Sequence, residues 1–220
     1  GNLQLPYCQQ ALDAGIKVIT TNAGIRELEG GSWVDADPYE QGKVLADLAV
    51  EQAPENARTV FLSCNPGNLH TESRLQAYNE IYLEERPDVE LLAEKITDRE
   101  DQATFMATME DWVQSYGDID VVMTIGDVLA LSCYEVVKDN PDYDDTLFYG
   151  VDGIPEALLA IKQGHMTATV MQDTDEMARL NLDAAAKLLT GEEEVIEAEM
   201  EAILITEENV DEYLDLYVEK

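Results

Sequence analysis

The chain has 220 residues, 45% of them hydrophobic, enough for one large or two small domains with a substantial core. It carries 47 acidic against 13 basic residues, a formal net charge of -34, which repels phosphate backbones and excludes nucleic acid as a partner. No apolar run reaches transmembrane length, and with only His70, His165 and three cysteines lacking metal-type spacing, a histidine-rich metal centre and a fully paired disulfide framework are both excluded.

Strand-like and helix-like patterns alternate along the chain. "IKVITT" (16–21) reads as a buried strand, and 37–53 as a helix with Asp37 as its cap and Pro38 at its first position. "ARTVFLSC" (57–64) is a strand, followed by a helix over about 72–85. "VELLAEKI" is a strand, and "DQATFMATMEDWVQSY" a helix with an apolar face through Phe105, Met109, Trp112 and Val113. "IDVVMTI" is a strand, and "DVLALSCYEVVKD" a helix capped by Asp127. "TLFYGV" is a strand, "IPEALLAIKQG" a helix ended by Gly164, and "MTATVM" a strand. "DEMARLNLDAAAKLLTG" is a helix ended by Gly191, and "EAILIT" closes the pattern as a last strand.

This alternation predicts an α/β fold with parallel sheet flanked by helices. In such sheets ligands bind outside the carboxyl ends of the strands. Asn22, Gly126–Asp127, Asp152 and Gln172 all fall at such ends. No strand is followed by a phosphate-binding glycine loop, and "GxSxG" is absent. Cys64 and Cys133 lie in apolar segments and read as small hydrophobes. With no nucleophile–base arrangement and no cofactor motif, the residues point away from an enzyme.

The segments "ALDAGIKVITTN", "DADPYEQGKVLADLA", "NPGNLHTESRLQAY", "IDVVMTIGDVLALSCYEVV", "GVDGIPEALLAIKQGHMTATVMQD" and "ILITEENVDEYL" occur in that order. Together they resemble the periplasmic sugar-binding proteins of the ribose-binding type, the substrate-binding components of ABC transporters. The effector domains of LacI-type repressors share that fold. The resemblance implies type I periplasmic-binding-protein architecture, two Rossmann-like lobes clamping a ligand, with crossings near 35–38, 172–174 and 200–203. It implies a complete carboxy-terminal lobe (37–172 and 203–220) and a truncated amino-terminal lobe (1–36 and 173–202). The latter would keep one strand, "KVITT", and one helix, with poor order or a homodimer through that strand as the expected outcome.

The same resemblance implies ligand-binding residues. Arg74, in "RLQAY", offers a rigid fork for two sugar oxygens, or pairs with nearby acids such as Glu72 as a surface arginine. Asp152 accepts from two hydroxyls, or caps the helix near Pro155. Gln172 suits a hydroxyl or serves as a hinge residue. Asp127 reads as a helix cap before a ligand group, and the asparagine that contacts ligand just ahead of it in the family is here Gly126. Asn22 and Ala23 stand where aspartate and arginine are common in the ribose type, so ribose itself is not favoured. Asp37 reaches ligand or caps its own helix. His70 lies in the loop before Arg74 and is a further candidate. Trp33 and Tyr39 flank the first crossing, as stacking residues or hinge packing, and Trp112 is core. Removal of Arg74 or Asp152 is expected to weaken binding far more than folding.

The implied function is non-catalytic capture of a sugar or polyol outside the cytoplasm, in the periplasm or lipid-anchored at the cell surface, and delivery to an ABC transporter permease. The alternatives are the ligand-sensing domain of a LacI-type regulator and a binding-deficient relative.

Overall fold

The structure, a computed structural model, describes residues 4–22 and 25–218. The chain divides into two compact units, Gly1–Asp37 with Asp173–Ala202, and Pro38–Gln172 with Ile203–Lys220.

The smaller unit holds helix α1 (Leu5–Asp13), strands β1 (Ile19–Thr21) and β2 (Ser32–Ala36), helix α7 (Thr174–Thr190) and strand β8 (Glu197–Met200). The three strands form a parallel sheet in the order β1-β2-β8. The expectation of a lone strand is therefore overturned: "KVITT" finds its ladder partner in "SWVDA", through Ile19↔Ser32 and Thr21↔Val34. Val34, Ala36, Ala184 and Met200 form a core joined by Ile19, Met177, Leu180 and Ile196. Helix α7 supplies one apolar stripe to that core. Asp173 starts the helix by accepting from Glu176 N, and Gly191 ends it in the left-handed conformation that glycine adopts without a Cβ clash.

The larger unit holds the remaining elements in chain order: α2 (Pro38–Gln52), β3 (Arg58–Cys64), α3 (Leu69–Ala77), β4 (Glu90–Thr97), α4 (Gln102–Tyr116), β5 (Val121–Thr124), α5 (Asp127–Val137), β6 (Leu147–Asp152), α6 (Pro155–Lys162), β7 (Ala168–Met171), β9 (Ile203–Thr206) and α8 (Val210–Val218). A π-helical stretch (Tyr78–Leu83) prolongs α3. The sheet runs β4-β3-β5-β6-β7-β9. Residues Val121 to Met123 of β5 are fully buried, as a strand covered on both faces must be.

Strand β9 departs from the expected all-parallel sheet and runs antiparallel to β7, with Met171 opposite Ile203. That pairing gives the reason. The chain leaves this unit after β7 and returns beside the point of departure, so the returning strand must run the other way. Helices α2 and α3 meet where a Cβ on Gly42 would stand 2.8 Å from Arg74 O; only glycine permits this approach.

Candidate functional site

The strand order reverses between β3 and β5, because β4 lies on one side of β3 and β5 to β7 on the other. Open α/β sheets bind ligands outside the carboxyl ends of their strands at such a switch point. Arg74 occupies this position. It projects from α3, the helix after β3, and its Nη1 donates to Ile125 O, the residue after β5, at 2.6 Å. Its Nε and Nη2 both donate to Gln41 Oε1, at 3.2 and 2.7 Å. Nη2 also lies 3.5 Å from His70 Nδ1. Arg74 is only 4% exposed. Four of the five N–H groups of a guanidinium are thus engaged within the unit. In this arrangement the expected two-oxygen grip on a ligand is not available; the fork closes on Gln41 instead. Burial draws the guanidinium below its usual range, and the Asp152 carboxylate counteracts this.

Asp127 follows β5 and is fully buried. It does not cap its helix: Gly126 holds the cap position and no side-chain cap bond is made. The carboxylate reaches sideways, accepting from Thr169 Oγ1 at 2.6 Å and from Ile154 N at 3.0 Å. It therefore pins the turn between β6 and α6 to the start of β7. Burial pushes its acid up to about 7, against the Thr169 bond and with help from the charge of Asp152.

Asp152 ends β6 on the same edge. It does not cap α6 either, since Ile154 is at the cap position with no side-chain bond. Its backbone has φ 126°, a conformation that costs a non-glycine residue on the order of 1–3 kcal/mol and that clusters at functional sites. Gln172 Nε2 donates to its Oδ1 at 2.6 Å, and Gln172 N donates to Asp152 O at 3.0 Å. Burial raises the Asp152 acid, opposed first by Arg74 and then by the Gln172 bond.

The larger unit thus gathers Arg74, Asp127, Asp152, Gln172 and, half-buried, His70, whose backbone N–H is taken by Asn68 Oδ1. Asn22 and Asp37 belong to the smaller unit. Asn22 is exposed with φ 49°, and Asp37 lies 3.9 Å from Arg26 Nη1. Ala23 lies outside the described residues. Trp33 is packed in β2, with the Arg26 guanidinium 4.4 Å from its ring centre; Tyr39 donates to Glu80 Oε2 at 3.0 Å. Gln41 was missed as a member of the cluster. Its signal was a polar residue in the inward stripe of α2, with Pro38, Gly42, Leu45, Ala46 and Ala49. Among the described residues no group of three metal-ligating side chains occurs.

Residues 2–193 match the periplasmic binding protein domain family. The ribose import binding protein RbsB of Bacillus subtilis is 25% identical over 183 residues, covering 83% of this chain and 58% of that protein. The xylitol-binding protein of Mycolicibacterium smegmatis is 24% identical over 208 residues, covering 94% of this chain and 58% of that protein. The chain therefore spans less than two thirds of the length of these curated relatives. An ABC transporter solute binding protein from Bacillus halodurans, solved with bound myo-inositol, superposes with a TM-score of 0.83 at 25% identity, covering 96% of this chain and 73% of that one. A periplasmic ribose ABC transporter structure from Conexibacter woesei reaches 0.86 at 23% identity, covering 96% and 72%, and shows the fold. By the match over residues 2–193 and by this fold, the chain belongs to the periplasmic binding protein domain family and has its type I α/β architecture.

Proposed function

We propose that the protein is a non-catalytic solute-binding protein that captures a sugar or related polyol and hands it to an ABC transporter permease outside the cytoplasm. The observation that carries this reading is Asp152: a carboxylate at the carboxyl edge of β6, held on one oxygen by Gln172 and kept on a backbone with φ 126°. A fixed carboxylate accepts hydrogen bonds from sugar hydroxyls, and fixing it beforehand lowers the entropy lost on binding. Gln172 stands beside it as a further hydroxyl partner, and His70, 3.5 Å from Arg74 Nη2, is a further candidate. Arg74 serves as the positive charge behind the carboxylates. Relatives whose names specify ribose and xylitol support the ligand class, and family membership supports the permease and the extracytoplasmic setting. A homodimer through the outer edge of β1 is the remaining partner proposal, and light scattering decides it.

Titration calorimetry of the full-length protein against pentoses, hexoses, cyclitols and acyclic polyols tests the reading. Saturable heat with one or more of these is expected, and Asp152→Ala should weaken it on the order of tenfold or more, the loss of a charge-assisted bond. Absence of saturable binding across the panel would overturn the function.

A further inference from the structure

Strand β6 has a glycine in its interior, Gly150, opposite Thr169 of β7. A Cβ on Gly150 would meet Asp127 Oδ1 and stand 3.0 Å from Asp127 Cα. Glycine inside a strand marks a close approach of this kind. It lets the Asp127 side chain, from the start of α5, cross β6 and reach the Thr169 hydroxyl at 2.6 Å. Thr169 is fully buried, so it touches no ligand itself. Its hydroxyl has a single hydrogen and gives it to Asp127. The lone pairs are thereby turned toward the Gly153 N–H, which donates to Thr169 Oγ1 at 3.2 Å.

That N–H belongs to the peptide that follows Asp152. The carbonyl of the same peptide accepts from Gln172 N at 3.0 Å. Strand β7 therefore holds the peptide at both ends, which sets ψ of Asp152 while its φ stands at 126°. The carboxylate hangs from that backbone, with Gln172 Nε2 on its Oδ1. We propose that Thr169 is a positioning residue for ligand capture: its hydroxyl, aligned by Asp127, fixes the peptide after Asp152 and so aims the Asp152 carboxylate. This rests on the reading of Asp152 as the ligand acceptor. Without the hydroxyl, the Gly153 N–H keeps only the Asp127 carboxylate, which also engages it, and the peptide turns from β7 toward α5. The Asp152 carboxylate turns with it. Part of the binding free energy then goes into realigning the acceptor.

The test is calorimetry and thermal melting of the full-length protein and of Thr169→Val, Thr169→Ser and Thr169→Cys. The probe is whichever pentose, hexose, cyclitol or acyclic polyol of the panel binds the wild type most tightly, starting with D-ribose, D-glucose, myo-inositol and xylitol. Thr169→Val keeps the shape and removes the hydroxyl. It is expected to bind the probe about five- to tenfold more weakly, the share of one neutral hydrogen bond. Thr169→Ser keeps the hydroxyl and should bind like the wild type, although its lost buried methyl lowers the melting temperature. A residue that serves folding alone would lower melting temperatures and leave the affinity of the folded protein unchanged. If Thr169→Val does not fold, Thr169→Cys against Thr169→Ser decides, since the two are alike in size and a thiol is a weak acceptor. The cysteine variant should then bind weakly and the serine variant normally. Affinity unchanged in the variants that lack the hydroxyl, or lost equally in Thr169→Ser, overturns the proposal and leaves the sugar-binding reading standing. A wild type with no saturable binding across the panel overturns both.

Discussion

Gln172 holds Asp152 twice, with its side-chain Nε2 on Oδ1 at 2.6 Å and its backbone N–H on the carbonyl at 3.0 Å. The two residues end neighbouring parallel strands, where Asp152 is opposite Met171, so the contact follows from register. An acid and an amide at adjacent strand ends form one fixed acceptor. Replacing the amide by an acid should break it. In Gln172→Glu two carboxylates meet at hydrogen-bonding distance, where like charges cannot both ionise. The variant is expected to melt well below wild type at pH 8 and to recover most of the difference near pH 5, where one proton is shared. Gln172→Ala should lose about 1.5–3 kcal/mol, the range for a hydrogen bond to a charged group, without that recovery. Thermal melts at the two pH values read both.

Asp152 is held at φ 126°, so part of the folding free energy is stored there. Asp152→Gly relieves the backbone and Asp152→Ala does not, while both remove the carboxylate. The glycine variant should therefore be more stable than the alanine variant by about 1 kcal/mol or more, with ligand binding lost equally in both. Denaturant unfolding compares them. Equal midpoints would show that the conformation carries no strain.

Asp127 should give stability a pH dependence of unusual sign for an acid. Burial raises its pKa to about 7 in the fold, against an unfolded value of about 3.9. Between these values the folded state binds more protons than the unfolded one. This contribution is fully present at low pH and is lost as pH rises through about 4 to 7. In Asp127→Asn the amide oxygen can still accept from Ile154 N, and the proton uptake disappears. The difference in stability, variant minus wild type, is expected to grow by a few kcal/mol from pH 4 to pH 8 and then to level off. The groups around it are Asp152, Arg74, Thr169 and the Gly153 and Ile154 amides, and burial raises the Asp152 acid as well. A difference independent of pH would place the Asp127 acid in its ordinary range.

The larger unit was legible because most of its strands are apolar runs bounded by turn residues, the edge strand β4 with its Glu94 and Lys95 being the exception, and its helices carry a stripe or a cap. Asp101, for example, accepts from Thr104 N at the start of α4. The smaller unit was less legible for a physical reason. Strand β8 alternates exposed Glu197 and Glu199 with inward Ala198 and buried Met200, and in a chain this acidic the pattern reads as a charged loop. Strand β2 follows two glycines and looked like a hinge. At the site, strand ends located Asp127, Asp152 and Gln172, because register alone brings them to one edge. The roles of Asp127 and Arg74 were not legible. A buried aspartate at the first turn of a helix looks like a cap until the neighbouring Ile154 amide and Thr169 hydroxyl are seen to claim it.

Salt should stabilise the protein at neutral pH. With 47 acidic and 13 basic residues, the compact state repels itself in dilute buffer. The ion pairs are partly exposed, such as Lys43–Asp47 and Arg179–Glu176, and contribute little. Raising ionic strength shortens the screening length to about 10 Å at 0.1 M. The melting temperature is expected to climb between low and moderate sodium chloride. A flat or falling curve would mean that the acids are compensated locally.

Arg74 is expected to be a strut first and a ligand contact second, which revises the expectation that Arg74→Ala would cost binding far more than folding. Removing the guanidinium strips the donors from Gln41 Oε1 and Ile125 O and takes the positive charge from beside Asp152 and Asp127. Breaking a buried charged cluster by deleting one partner costs about 3–5 kcal/mol, a large share of a domain's stability. Arg74→Lys should recover only part of this. A single ammonium cannot reach Gln41 and Ile125 together in the planar spacing of the fork. The order of melting temperatures should be wild type, then Lys, then Ala, and acid should narrow the gap between wild type and Arg74→Ala, because protonated Asp127 and Asp152 no longer need the charge. If Arg74→Ala melts with the wild type while sugar affinity falls, the residue is a ligand contact and its internal bonds are dispensable.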